Sequence, residues 1–173
     1  MIIHLEGTVN SEMVDKLIEH YNKLEFINAE TNLETLTIYF KSGGGENASA
    51  SVIIDLINNN KENTILIAYD QILSNGFKIF FEVICPKRIV PHTIGMYHLT
   101  SHPNIIIYEG HTLETDPYID FVKANMKGFN YLESVHKLVD FTEKELKDLK
   151  SNQDVWITEK RLNQMLKYNL KTK

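Results

Sequence analysis

Short apolar runs alternate along this chain with segments of helical periodicity. Three of the runs, IIHLEG at 2–7, LTIYF at 36–40 and TILIAY at 64–69, are rich in the β-branched residues that are typical of buried strands. Between them, the spacing of apolar residues predicts one helix over about 11–24 and another from 47 or 48 to 57. This alternation predicts an α/β protein with a largely parallel sheet.

The second half of the chain continues this pattern and then changes character. After Ser74 a helix is predicted to about Ile84, and the runs RIV and TIGMYH are predicted strands. Over about 116–139 the apolar residues follow the period of a long amphipathic helix, and Thr142 with Glu145 has the spacing of a capping box. No internal repeat or Pro-rich linker divides the chain, so we expect a single domain over residues 1–173.

Composition and charge limit the classes of protein to which this chain can belong. With 43% hydrophobic and 24% charged residues, the 173-residue chain has the composition of a globular protein that buries a core. The net charge of −5 and the scattered basic residues argue against nucleic-acid binding. No apolar run reaches the roughly 18 to 20 residues of a membrane span, and the N-terminus lacks a signal-peptide pattern, so we expect a cytoplasmic location. The single Cys85 lies in an apolar run and is expected to be a core residue.

Three features at the ends of predicted strands could take part in catalysis. A serine at a strand-to-helix turn, here Ser74 in LSNG, and a histidine ending a later strand, here His98 in MYH, can form a nucleophile and its general base. The backbone N–H groups of Gly43–Gly45, after LTIYF, can stabilise a tetrahedral oxyanion. From the residues alone, a helix cap, a polar strand end and a turn with positive φ explain the same features.

Four histidines lie close together in the sequence: His92, His98, His102 and His111. Neither a cysteine ligand nor an HExxH spacing accompanies them. We therefore predict no metal site.

Four blocks of sequence follow one another along the chain: IIHLEGTVNSEMVDKLIEHYNKLEFINAE, LTIYFKSGGG, LSNG and PHTIGMYH. In order and spacing, these blocks resemble the proteolytic subunit of the Clp protease. The resemblance runs from residue 2 to about residue 170. It implies a ClpP/crotonase-type fold, a spiral of ββα units with a projecting helical arm in the C-terminal half, and no cofactor.

The resemblance also implies roles for individual residues. Ser74 stands in the place of the family's nucleophile, and His98 in the place of its general base. Gly44 and Gly45 stand at the two glycines of its oxyanion turn, and the backbone N–H of Asn75 would be the second donor.

The sequence does not decide which residue is the third member of the catalytic triad that the resemblance implies. Asp148 is the expected orienting carboxylate, and it reaches the family's position if a two-residue insertion is allowed. Without gaps, matching Asp154 and VWIT to the end of the family's segment places Lys150 there. Asp154 itself is a further candidate, and a site without any carboxylate also fits the sequence.

The function implied by the resemblance is that of a self-compartmentalising serine peptidase. Its substrates would be peptides or unfolded proteins, and it would form a homo-oligomeric ring of one heptamer or stacked heptamers. Because the chain begins at the first predicted strand, an ATPase unfoldase is a less expected partner.

Two different functions fit the same resemblance. One is a catalytically impaired ClpP-like scaffold or regulatory subunit, which Lys150 favours; the second is a crotonase-like acyl-CoA enzyme, against which the Ser74 and His98 pair argues.

Overall fold

A computed structural model describes residues 1–31, 34–98, 137–151 and 153–172. The chain begins with β1 (Ile2–Val9), α1 (Ser11–Thr31), β2 (Leu36–Gly45), α2 (Asn47–Asn59), a short 3-10 helix (Lys61–Asn63) and β3 (Thr64–Leu73). Then follow α3 (Asn75–Glu82), β4 (Lys87–Ile89), β5 (Ile94–Tyr97), α4 (Glu143–Lys150), β6 (Val155–Ile157) and α5 (Glu159–Thr172). The prediction of an α/β protein is confirmed.

The strands of the described residues form one sheet in the order β1-β2-β3-β5-β6. β4 belongs to the same sheet but lies outside this order, and it pairs with β3. The pairs are parallel except for β5 with β6. β4 and β5 use successive stretches of β3, since β4 pairs with Leu66–Ala68 and β5 with Gln71–Leu73. Parallel strands end at one edge of a sheet, so β2, β3 and β5 direct the residues that follow them to a common edge.

The core lies between this sheet and its helices. α3 contributes three fully buried aromatic side chains, those of Phe77, Phe80 and Phe81. The ring of Phe77 lies 5.3 Å from that of Tyr97, centroid to centroid, which ties α3 to β5. Cys85 is buried in the same core, as predicted.

Some element boundaries differ from the predictions. α1 continues to Thr31, past the predicted end near Leu24, because no glycine or proline interrupts the helical residues after Leu24. The capping box is confirmed: Thr142 Oγ1 accepts the Glu145 N–H at 3.2 Å, and the Thr142 N–H donates to the Glu145 carboxylate at 2.7 Å. The long helix predicted over about 116–139 lies almost entirely outside the described residues. Within the described ranges, no helix is both long enough and apolar enough to cross a membrane.

Candidate active site

Ser74 forms the sharp turn between β3 and α3. Its backbone angles, φ 52° and ψ −118°, lie in a region that residues with a Cβ rarely adopt, at a cost of about 1–3 kcal/mol. The turn is held on both sides, because the Ser74 N–H donates to the Met96 carbonyl of β5 at 2.8 Å and the Ser74 carbonyl accepts the Lys78 N–H at 3.1 Å. Although Ser74 precedes α3, its hydroxyl makes no capping hydrogen bond to the helix. The hydroxyl is directed elsewhere.

The partner of the Ser74 hydroxyl is His98. The distance from Ser74 Oγ to His98 Nε2 is 2.7 Å, a hydrogen-bond distance. The contact follows from the sheet: β3 and β5 are parallel with Leu73 opposite Met96, so the residues that follow the two strands meet at one edge. The structure thus brings together the serine and the histidine that the sequence singled out.

The other ring nitrogen of His98 faces Asp154. The distance from Nδ1 to Asp154 Oδ1 is 3.3 Å, and the two side chains are 33% and 51% exposed. Asp154 comes directly before β6, which is antiparallel to β5 with Val155 opposite Tyr97. The residue before β6 therefore lies beside the residue after β5. In such a line, a carboxylate can orient the imidazole while the imidazole accepts a proton from Ser74.

This geometry replaces Asp148 with Asp154 as the candidate acid. Asp148 and Lys150 lie in α4, and among the described contacts neither side chain reaches His98. The Asp148 carbonyl instead accepts the Gln153 N–H at 2.9 Å, in the turn that follows α4. The turn after α4 and the pairing of β6 with β5 place Asp154, and not Asp148, beside His98.

The glycines at the end of β2 lie beside Ser74. Gly44 and Gly45 have φ values of 96° and 149°, which only glycine adopts without strain. A Cβ on Gly44 would lie 2.7 Å from the Ser74 Cβ, so this glycine permits the close approach of the two backbones. Its N–H is already engaged: it donates to Ser42 Oγ at 3.0 Å, and Ser42 Oγ donates to the Gly7 carbonyl at 2.7 Å.

The N–H of Gly45 faces a different direction. Val9 of β1 pairs with Gly45, and the Val9 carbonyl accepts the Glu46 N–H at 2.8 Å. In a parallel ladder, such a pair is hydrogen-bonded through backbone groups of the residues before and after Gly45. The N–H and carbonyl of Gly45 itself therefore face away from β1. Accordingly, the Gly45 carbonyl accepts a side-chain N–H of Asn75 at 2.6 Å. The Gly45 N–H therefore faces the side of β2 on which Ser74 lies.

Asn75 is the first residue of α3 and directly follows Ser74. The first N–H groups of a helix have no partner within the helix, and the helix dipole favours negative charge beside them. Gly76 lets this end of α3 approach β2, since a Cβ there would lie 3.0 Å from the Ser42 Cβ. The backbone N–H groups of Gly45 and Asn75 thus come from two elements that meet at Ser74, which is the arrangement that an oxyanion site requires.

Comparison with solved structures identifies a similar fold. A mutant of ClpP1 from Listeria monocytogenes matches with a TM-score of 0.70 over 98% of this chain and 87% of that chain, at 18% sequence identity. The fold is ClpP-like. No protein-family model and no curated protein matches the chain. The predicted ClpP/crotonase-type fold class is confirmed, and at this identity the likeness extends to the fold alone.

Sequence reasoning missed two residues of the site. Ser42 is fully buried and holds the Gly44 N–H, and a serine that interrupts a buried strand just before glycines was a signal for it. Asn47, at the start of α2, accepts the second side-chain N–H of Asn75 through Oδ1 at 2.8 Å. No pattern within α2 distinguishes this asparagine from a surface residue.

The clustered histidines do not assemble around a metal in the described part of the chain. There, no group of three or more His, Cys, Asp or Glu side chains is arranged to hold an ion. The His92 N–H donates to the Glu159 carboxylate at 2.6 Å, and His98 belongs to the site above. His102 and His111 lie outside the described residues.

Proposed function

We propose that the protein is a serine peptidase of the ClpP type. The observation that carries the proposal is the line of contacts from Ser74 Oγ to His98 Nε2 and from His98 Nδ1 to Asp154 Oδ1, at 2.7 and 3.3 Å. A serine hydroxyl is a weak nucleophile at neutral pH, and a hydrogen-bonded imidazole is the base that activates it. The ClpP-like fold supports the same proposal.

In the proposed reaction, Ser74 Oγ attacks the carbonyl carbon of a peptide bond while His98 Nε2 takes the hydroxyl proton. The carbonyl oxygen becomes an oxyanion, which the N–H groups of Gly45 and Asn75 stabilise; loss of one such donor in a serine protease costs about 10²–10³ in kcat. As the C–N bond breaks, His98 returns the proton to the leaving amine. Water then attacks the acyl-enzyme with His98 again as the base, which releases the carboxylic acid and restores the serine.

Asp154 is the proposed orienting carboxylate. Its carboxylate lies 3.3 Å from Nδ1 and favours a proton on that nitrogen, which leaves the unprotonated Nε2 of His98 directed at Ser74. Because about half of the Asp154 side chain is exposed, water screens its charge. Its contribution therefore lies more in holding the ring than in stabilising the charged imidazolium.

The proposal extends to substrate and assembly. The substrates are peptides or unfolded protein segments, and the active form is a homo-oligomeric ring of one heptamer or stacked heptamers in the cytoplasm. Support for the ring comes from the ClpP-like fold. An ATPase unfoldase is not required for short peptides, which can enter a ring without being unfolded.

Intact mass after exposure to a fluorophosphonate tests the proposal. Ser74 Oγ would displace fluoride from phosphorus and add one phosphonyl group per chain. We expect a stoichiometric adduct on the parent and on the control Ser51→Ala, which changes an exposed serine in α2, and no adduct on Ser74→Ala or His98→Ala. Labelling of Ser74→Ala at the parent's rate would remove the nucleophile, and a folded parent without label would refute the peptidase proposal.

A second candidate is a catalytically impaired ClpP-like subunit within a ring. The half-exposed Asp154 favours it, because a solvated carboxylate orients the His98 ring less firmly than a buried one. An assembled, folded protein that takes no label would select this candidate. A crotonase-like acyl-CoA enzyme has less support, since its oxyanion chemistry does not use the contact between Ser74 and His98; tight binding of CoA in calorimetry would favour it.

A further inference from the structure

The Asn75 side chain is engaged in contacts to which the proposed reaction gives no role. The residue is 7% exposed, and its Nδ2 donates to the Gly45 carbonyl at 2.6 Å and to Asn47 Oδ1 at 2.8 Å. Both hydrogens of the amide group are therefore used, which fixes the rotation of the group. An amide buried and satisfied in this way is a rigid support.

The residue that it supports lies in a flexible part of the chain and is otherwise held only by its pairing with β1. Gly45 ends a run of three glycines, whose backbone has the widest range of allowed angles. With its carbonyl bound to Asn75 and the next N–H, that of Glu46, bound to the Val9 carbonyl at 2.8 Å, the peptide plane after Gly45 is held at both ends. The conformation of Gly45 sets the direction of its own N–H, so these contacts determine where that donor points.

Asn75 thus links the two donors of the site. Its backbone N–H is one donor, and its side chain holds the residue that carries the other. Asn47 anchors the amide in turn to the start of α2. The separation of the two N–H groups is therefore set by the Asn75 side chain together with the pairing of Gly45 with β1.

We propose that the Asn75 side chain is a positioning residue that pre-organises the oxyanion site through Gly45. The proposal rests on the proposed serine peptidase function. Oxyanion stabilisation depends on donors that are in place before the reaction, so release of Gly45 slows attack by Ser74. The contact between Ser74 and His98 does not involve the Asn75 amide, so that contact stays in place when the amide is removed.

The pH profile of phosphonylation separates these two parts of the site. The rate at which a fluorophosphonate labels Ser74 is measured from about pH 5 to pH 9, a range that spans histidine titration. The midpoint reports the protonation of the general base. The plateau reports the attack itself, in which negative charge develops on the phosphoryl oxygen in the place of the oxyanion. For Asn75→Ala we expect a plateau about tenfold lower, with the midpoint unchanged.

The matched control is Asn60→Ala. It removes a comparable amide contact, from Asn60 Nδ2 to the Leu56 carbonyl at 2.9 Å, at the end of α2 away from Ser74. Neither its plateau nor its midpoint should change. A plateau for Asn75→Ala equal to that of the parent would overturn the proposal, and so would a shifted midpoint, since it would mean that the triad itself is disturbed.

If Asn75→Ala does not fold, Asn47→Ala takes its place. Asn47 is exposed, and its removal frees the Asn75 amide without touching Gly45. We expect a plateau about threefold lower, and an unchanged plateau would overturn the positioning role. A parent that takes no label refutes the peptidase function and the positioning role together. This outcome is distinguishable from failure of the positioning role alone, because it is seen in the parent before any asparagine is replaced.

Discussion

Ser74 has a strained backbone that directs its hydroxyl to His98 instead of to the start of α3. At φ 52° and ψ −118° a Cβ is disfavoured, whereas glycine is not. We therefore expect Ser74→Gly to be more stable than its control Ser74→Ala by about 1 kcal/mol, although both lack the Ser74 hydroxyl. Urea unfolding of the two variants measures the difference, and equal stabilities would contradict strain in the turn.

Two neighbouring glycines should differ sharply in their tolerance of a side chain. A Cβ on Gly44 would lie 2.7 Å from the Ser74 Cβ and 3.1 Å from the Leu73 carbonyl oxygen, at a φ that disfavours side chains. Gly44→Ala should cost about 2–3 kcal/mol of unfolding free energy and abolish labelling of Ser74. For Gly43→Ala, whose nearest neighbour is Gln71 Nε2 at 3.9 Å, we expect a change within about 0.5 kcal/mol and full labelling. Urea unfolding and intact mass measure both variants, and a similar loss in the two would refute the close approach.

The proposed orienting carboxylate is tested by replacing Asp154 and Asp148 separately. Asp154→Asn should lower the rate of Ser74 labelling by about 10²-fold, less than the ~10⁴ in kcat seen when a serine protease loses its triad carboxylate, because Asp154 is half exposed. Asp148→Asn, in α4, should leave the rate unchanged. Labelling reactions that are quenched at successive times and analysed by mass spectrometry give both rates. A slow Asp148→Asn beside a fast Asp154→Asn would restore the assignment made from sequence.

At the scale of elements, the place of Asp154 depends on how α4 and α5 flank β6. Arg161 of α5 donates from Nε and Nη2 to the Glu145 carboxylate of α4 at 3.1 and 2.9 Å, and its Nη1 lies 3.2 Å from Asp140 Oδ1. Burial raises the pKa of Glu145, but hydrogen bonds from Arg161 and Thr142 outweigh burial, so the pKa lies below its usual value. The same contact raises the pKa of Arg161. The two helices thus hold the short segment that presents Asp154.

Removal of this contact should destabilise the protein in a pH-dependent way. Arg161→Gln is expected to lower the free energy of unfolding by about 1–3 kcal/mol near pH 7, because Arg161 makes charged hydrogen bonds that are partly shielded from water. The folded-state pKa of Glu145 lies below its unfolded value, so its stabilising contribution is present above the unfolded pKa and is lost as the pH falls through the folded value. The difference between parent and variant should therefore shrink below about pH 4.

Urea unfolding at about pH 7 and about pH 3 measures both quantities. The matched control is Arg88→Gln, at an exposed position of β4, and it should change stability by less than about 0.5 kcal/mol at either pH. A loss for Arg161→Gln that is the same at both pH values would show that the ion pair is not its source.

At the scale of the whole molecule, the site is assembled from segments that are far apart in the chain. The glycines end β2, whereas Ser74 and His98 follow β3 and β5, and these parallel strands end at one edge. Asp154 is added by the antiparallel β6. No single element contains the site, so its activity should be lost whenever the sheet is lost.

The proposed ring predicts a large particle in solution. A heptamer of 20.0 kDa chains has a mass of about 140 kDa, and stacked heptamers twice that mass. Sedimentation velocity over a range of concentrations measures the mass directly. A species of monomer mass at every concentration would refute the compartment, and labelling of Ser74 in that species would show whether one chain suffices for the chemistry.

By itself, the sequence determined the order of elements from β1 to β5 and the position of part of the site. The strands β1–β3 and the helices between them begin where the pattern predicts them, and the capping box of α4 is present, because apolar periodicity and capping act within a few residues. Ser74, His98 and the glycines could be singled out because each stands at the end of a predicted strand, and parallel strands end at one edge.

Only the tertiary structure decided which groups meet. Asp154 reaches His98 through the pairing of β6 with β5, which joins residues far apart in the chain and leaves no trace in local periodicity. Likewise, the hydrogen bond from Ser42 Oγ to the Gly7 carbonyl and the bond from the Asn75 side chain to Gly45 join residues of β1, β2 and α3. Register and packing of the complete sheet set such contacts, because a strand's own pattern says which face is buried and not which partner lies beside it.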